Sequence, residues 1–349
     1  MMNFPLVSTI PAVSMRLLLP CALTVLLALP GAAAVTEGSR TLEYELLLRM
    51  SPTAVSFIGD KSEPDAQGFT GANQRDGKWY EAGTQRGGCR MLIGAVVSGD
   101  LPRADAAWRA VEATFARQLE DGGFESNLKP GLTKPPTRAD RVETAYFFLQ
   151  ELGRAILVIE ASPMAGHFGE RITALKPKLR RAADFIQSGY GTIVFKVGHT
   201  ANRLLIAAKA FGLCGIVLED ETLKESSAKL VAEALKRRDA EGVFIERGGR
   251  DSSYNAVSLL MGQVLLLYLP NPELEAAMHR TMAWLLTRID AEGVVSVEGN
   301  TRTGVGLEPD GLGHTKNVNY PEVAQALCYY GTLHNRPDLL TLAEKVAVR

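Results

Sequence analysis

From about residue 85 onward, apolar positions recur every three and four residues, the spacing that lays one buried face along a helix. The pattern predicts helices over 89–97, 104–119, 142–161, 172–186, 201–213, 223–235, 256–269, 274–289, 323–333 and 339–348, with 41–50 as an eleventh. No segment alternates in the manner of a half-buried strand. Several boundaries carry their own signals: Gly215 closes one helix, Asn271-Pro272 opens another, and Arg336-Pro337-Asp338 opens the last. The chain is therefore expected to be all-α, with helices paired through short turns.

The pairs repeat. The second helix of a pair runs into an acidic, glycine-containing turn and then an apolar residue. The turn reads Gln118-Leu119-Glu120-Asp121-Gly122-Gly123-Phe124, then Asp239-Ala240-Glu241-Gly242-Val243-Phe244, then Asp290-Ala291-Glu292-Gly293-Val294-Val295, with a degenerate copy over 187–195. Gly191, Gly242 and Gly293 lie 51 residues apart, and the longer interval from Gly123 to Gly191 is filled by a Pro- and Lys-rich loop at 129–138. A hairpin of this size cannot bury both of its helices alone, so successive hairpins must stack, either as an open solenoid or as a closed ring.

The N-terminal stretch follows a different pattern. Arg16 precedes an unbroken apolar run, 17–29, and then the small residues Ala32, Ala33 and Ala34, the layout of a secretory signal. A run of about 13 residues falls short of the ~20 that span a bilayer, so no stable membrane insertion is expected. Residues 1–34 are read as a cleaved signal with Met15 a candidate start, 35–84 as an N-terminal segment and loop, and 85–349 as the helical domain, secreted or periplasmic. A formal net charge of −1 with no basic stripe argues against nucleic acid. Cys89, Cys214 and Cys328 are too scattered for a disulfide framework and are expected as core residues, with one bridge at most. The five histidines lie far apart, so neither a metal nor another cofactor is expected.

The Gln-x-x-Asp-Gly-Gly-Phe turn resembles those of the α/α toroid superfamily of polysaccharide lyases, glycosidases and terpenoid cyclases, and the resemblance covers roughly 85–348. It implies an α/α toroid of five to six hairpins, complete or short of one, in which the segments after the turns lead to inner helices and face the mouth of the ring. Those segments gather polar groups: Arg138 to Tyr146, His199 to Arg203, Arg250 to Asn255 and His314 to Glu322. Asp251, Ser252 and Ser253 are also good helix caps, and Tyr and Asn also serve as packing residues. Capping does not account for His, Tyr, Asn and Arg recurring at one place in successive repeats.

Toroid polysaccharide lyases use such sets, and the chain is similar to them through His199, Asn202, Arg203, Tyr254, Asn255 and Tyr320, although it lacks the Asn-Asn-His-x-Tyr-Trp run of the alginate-lyase type. β-Elimination of a uronic-acid polymer needs the sugar carboxylate neutralised, a base for its α-proton and an acid for the leaving oxygen. His199 or Tyr254 is the expected base and Tyr254 or Tyr320 the acid. Asn202, Arg203 and Asn255 are placed on the carboxylate, with Asp251, Asn319, Glu322, Glu143 and Trp79 lining the substrate site. The alternatives are a glycoside hydrolase using Asp251 with Glu322 or Glu143, and a non-catalytic helical-repeat protein that binds a glycan or a protein. Terpenoid cyclisation lacks its Asp-rich run. The expected partner is an anionic polysaccharide or oligosaccharide.

Overall fold

The computed structural model describes residues 43–59, 63–71, 79–129, 133–304 and 315–349; the signal segment and His314 lie outside the described residues. All ten helices predicted from the periodicity are present. They are α3 (Arg86–Ser98), α4 (Leu101–Phe115), α5 (Arg138–Glu160), α6 (Ala165–Ser188), α8 (Ala201–Val217), α9 (Glu221–Leu235), α10 (Ser252–Tyr268), α11 (Pro272–Leu286), α12 (Tyr320–Leu333) and α13 (Pro337–Ala347). Within the predicted 41–50 stretch lies α1 (Glu43–Leu48), and it is followed by α2 (Pro52–Ser56). The degenerate turn 187–195 departs from expectation: it is mostly helix, α7 (Tyr190–Val197). Among the described residues, extended pairing is limited to isolated bridges.

The helices sort into two layers by how they are buried. On α8 and α10 nearly every side chain is buried, whereas α9 buries one face, built from Leu223, Ser227, Leu230, Val231 and Ala234. The first kind is enclosed by neighbours on all sides and forms the inner wall; the second packs one stripe inward. Inner helices α3, α5, α8, α10 and α12 pack side by side in that order, and each leans on the outer helix that follows it in sequence. Among the described residues this is an α/α toroid of five hairpins. Between α12 and α3, where a sixth hairpin would stand, α1 touches α3, α5 and α12, while α2 touches α3, α12 and α13.

The acidic turns explain the repeat. In each, the residue that opens the turn donates its N–H to a carbonyl four residues on, as in Asp239 to Val243 and Asp290 to Val294, and Asp239 and Asp290 accept backbone N–H groups through their carboxylates. Gly122, Gly242 and Gly293 take φ of 85°, 80° and 84°, a left-handed conformation that costs residues with a Cβ about 1–2 kcal/mol. A Cβ on Gly293 would also lie 2.6 Å from the carbonyl carbon of Lys345 on α13. The turn glycine thus lets the backbone approach the next outer helix. Gly191 does not share this role, because its place has become the helix α7; in the first turn the equivalent residue is Gly122.

A charged network fills the centre of the ring. Arg154 on α5 donates through Nε to Glu43 of α1 (2.6 Å) and through a terminal nitrogen to Glu151 (3.1 Å). The hydroxyls of Tyr329 and Tyr268 donate to Glu43 at 2.5 and 3.0 Å. Lys209 on α8 lies 3.4 Å from Glu151, and Arg90 on α3 bridges Glu151 and Glu322, 3.3 Å from each. Glu43, Glu151, Arg154 and Lys209 are fully buried. Burial pushes the Lys209 pKa down to about 8, whereas Glu151, despite its burial, is held well below the usual carboxylate range by Lys209, Arg154 and Arg90. Such a network adds little net stability compared with an apolar core, but removing one member leaves a buried charge unpaired. It links α1 to all five inner helices and so fixes the ring's register. Cys89, Cys214 and Cys328 are free and buried, the expected core role.

Candidate functional site

Each hairpin returns the chain by a short turn, so the N-termini of the five inner helices gather at one end. Two clefts open there, on either side of the α3 N-terminus. The larger, about 740 Å³, lies between α3, α5 and α8 and within the usual size of a small-molecule site. Its described lining carries five cations (Arg86, Lys129, Lys134, Arg203 and Lys316) against three carboxylates (Glu81, Asp140 and Glu143), with Phe147 as an apolar wall.

All three carboxylates are ion-paired. Lys129 holds Glu81 at 2.6 Å, Lys196 holds Asp140, and Arg203 pairs with Glu143. Asp140 also completes a capping box with Thr137 at the start of α5. Burial disfavours its charge, but hydrogen bonds from Lys196 and Thr137 outweigh this and bring its pKa down to about 2.

Arg86 lines both clefts. Among the described residues it forms no ion pair; its guanidinium donates to the Gly83 carbonyl (2.6 Å) and lies 5.3 Å from the Phe147 ring centroid. Burial and the nearby Arg90 charge lower its pKa, outweighing the opposing pull of Glu322, Glu151 and Glu81. The second cleft, about 580 Å³, lies between α3 and α12 and includes Arg86, Arg90, Asn319 and Gln325, with no carboxylate in its described lining.

Behind the rim sits a second polar cluster, around Glu246. This residue is fully buried, accepts the Asn202 backbone N–H at 2.9 Å and pairs with Arg302 at 3.0 Å. Burial raises its pKa to about 7, against the opposing pull of the Asn202 hydrogen bond and Arg302. The Arg302 guanidinium lies 3.6 Å above the Tyr254 ring, and the Lys316 ammonium lies 5.5 Å from the same ring. Asp251 caps α10 through one oxygen, which accepts the Tyr254 N–H; its other oxygen accepts the N–H groups of Arg302 and Thr303. Asp251 therefore ties the 302–303 segment to the α10 N-terminus.

The residues singled out from the sequence are distributed over these places. Glu143 and Arg203 line the larger cleft, and Asn319 lines the smaller. Glu322 accepts from Arg90 and from the Asn319 amide. Tyr254 is half-buried beneath Arg302, beside the larger cleft through Lys316. His199 is exposed on the rim, and partial burial with the charges of Arg247, Arg302 and Arg203 lowers its pKa, favouring the neutral ring. Tyr320 packs partly buried against the core. Asn202, Asp251 and Asn255 are buried in the wall, Asn255 donating to the Phe244 and Asp251 carbonyls. Trp79 is buried behind Lys129, whose ammonium is 5.1 Å from its ring. Arg86, Arg90, Lys129, Glu246 and Arg302 were not anticipated. Repeat logic alone points to Arg86, because it opens the first inner helix as Arg138 opens the second.

No protein-family model matches the chain, and no curated protein matches it significantly. Among solved structures, it is similar to an unsaturated glucuronyl hydrolase from Bacillus sp. GL1, responsible for the degradation of glycosaminoglycan. The TM-score is 0.52 at 11% identity, covering 88% of this chain and 83% of that one. It is also similar to a sugar epimerase from a ruminal bacterium, with a TM-score of 0.50 at 10% identity over 85% and 87% of the two chains. At these identities the likeness shows the α/α toroid fold.

Proposed function

We propose that this protein is an exported carbohydrate-active enzyme that binds an anionic, uronate-type sugar in the mouth of the toroid and cleaves its polymer by β-elimination. The observation that carries the reading is the excess of cations in the described lining of the larger cleft, with Arg86 free of any ion pair among the described residues. A sugar carboxylate would supply the missing counter-ion, and charge neutralisation is what makes the proton beside that carboxylate acidic. Two structures of the same fold bear the names of sugar-processing enzymes, one of them a glucuronyl hydrolase.

Elimination is favoured over hydrolysis by the state of the carboxylates. A hydrolase needs one of its pair protonated near neutral pH, yet the three in the larger cleft and Glu322 are ion-paired and Asp251 has both oxygens committed to backbone N–H groups, while Glu246, whose pKa burial raises to about 7, is fully buried and tied to Arg302 and the Asn202 N–H. Tyr254, beneath Arg302, and His199, whose ring feels the Arg302 charge, supply the proton chemistry instead. The neutral imidazole takes the proton α to the carboxylate, the bond to the leaving oxygen breaks as the sugar double bond forms, and the Tyr254 hydroxyl protonates that oxygen. Export rests on the signal-like segment 15–34, and N-terminal sequencing of the secreted protein should begin at Val35.

The test is incubation with acidic and neutral polysaccharides while ultraviolet absorbance and reducing ends are followed. An elimination gives both signals and a hydrolysis only the second. Tyr254→Phe should lower turnover by roughly 10²-fold or more, the scale of general acid or base catalysis, with an unchanged melting point. Reducing ends without absorbance would sink the elimination. An intact rate in Tyr254→Phe would remove that residue from the mechanism.

A further inference from the structure

The two clefts are not independent. Gly83 lines the larger and Thr84 the smaller, so the single 3-10 turn Ala82–Gln85 and the side chain of Arg86 form the ridge between them. Both clefts open at the N-terminal ends of inner helices, and each has an exposed residue on its rim, Lys134 on the larger and Ser56 on the smaller. A pocket for a single terminal sugar would need a wall where the second cleft lies. Here a polymer has room on either side of Arg86.

Charge points the same way. Among the described lining residues the larger cleft has a surplus of cations, and the smaller carries no acid, with Arg86 outside any ion pair of the described residues and Arg90 bridging Glu151 and Glu322 from behind. On the floor, the buried Gln325 donates to the Phe57 carbonyl and keeps its Oε1 without a partner among the described residues, an acceptor suited to a sugar hydroxyl. We infer that the two clefts form one groove for an oligo-uronide that bears carboxylates on sugars both sides of Arg86, so that the enzyme acts within chains and not on terminal residues alone. This deepens the uronate reading above and rests on it.

Calorimetric titration of di-, tetra- and hexa-uronides tests it, on a Tyr254→Phe background that suppresses turnover. The tetramer should bind at least ~10-fold tighter than the dimer, the scale of added charge-assisted contacts in a second cleft. Ser56 is exposed, donates to the Thr53 carbonyl and lines the smaller cleft. Ser56→Trp should therefore block that cleft and abolish the gain with length, with circular dichroism checking that the variant is folded. Arg86→Ala should weaken every length. Equal affinities for dimer and tetramer, or a full length gain in Ser56→Trp, overturn the groove and leave the uronate site standing. Failure of every uronide to bind removes the uronate site and the groove together.

Discussion

Glu43→Gln is the most revealing single change in the scaffold. The substitution keeps the size of the side chain and removes only its charge, at a fully buried position where Arg154, Tyr329 and Tyr268 all donate to it. Glutamine can still accept from one of these donors, so the packing of α1 through Leu46 and Leu47 is preserved. What changes is Arg154, left with Glu151 alone, a carboxylate already shared with Arg90 and Lys209. Breaking a buried pair in this way costs about 3–5 kcal/mol. In a folded unit this large, about 2 °C is lost per kcal/mol, so the melting point should fall by roughly 6–10 °C. Scanning calorimetry at neutral pH, repeated in 1 M salt, measures it. The loss should be the same at both ionic strengths, because a buried pair is screened far less than a surface one. A double-mutant cycle with Arg154→Met should recover much of the cost, since that variant no longer buries the stranded cation. A fall below about 2 °C, or one that vanishes in salt, would refute the view that Glu43 is charged and holds the ring together.

Two further outcomes are expected. Gly293→Ala should destabilise by about 2 kcal/mol or more, combining the left-handed backbone cost with a Cβ pressed against Lys345; denaturant melts would show it, and a neutral result would mean that α13 can move aside. Glu246 has its folded-state pKa raised to about 7, so its proton is retained in the folded chain but lost in the unfolded one between about pH 4.5 and 7. Its contribution is fully present below that window and lost as pH rises through it, by up to about 3 kcal/mol. Subtracting the Glu246→Gln stability profile from that of the parent should reveal this slope; a flat difference would contradict it.

The helical scaffold was legible because amphipathic periodicity and turn chemistry are local properties. Each outer helix shows its single stripe, and each acidic turn shows its Asp and Gly. α7 escaped notice because Tyr190–Val197 is short and nearly all apolar, so it has no period to read, and its glycines imitate a turn. The mouth of the ring was legible as a place, through the recurring polar segments, but less so residue by residue. Nothing near Asn202 or Asp251 announces that the Asn202 backbone N–H is spent on Glu246 and the Asp251 carboxylate on the 302–303 backbone, because those partners lie 44 to 52 residues away in sequence. Arg86 was overlooked for a related reason. No acidic turn precedes the first hairpin, so the segment rule that found the other clusters passed over it.

The position of α1 has a consequence for the order in which this protein is made. Glu43 emerges from the ribosome among the first residues of the folded unit, yet its hydrogen-bond partner Tyr329 follows 286 residues later. At typical synthesis rates the interval is roughly 15–60 s. Throughout it, the earlier hairpins can stack in sequence while Glu43, Leu46 and Leu47 wait without their final wall. Ring closure must therefore be a late, long-range event, following the local pairing of helices and setting the pace of folding. A chain stopped short of α12 would hold most of its helices and still lack the contact that makes them a ring.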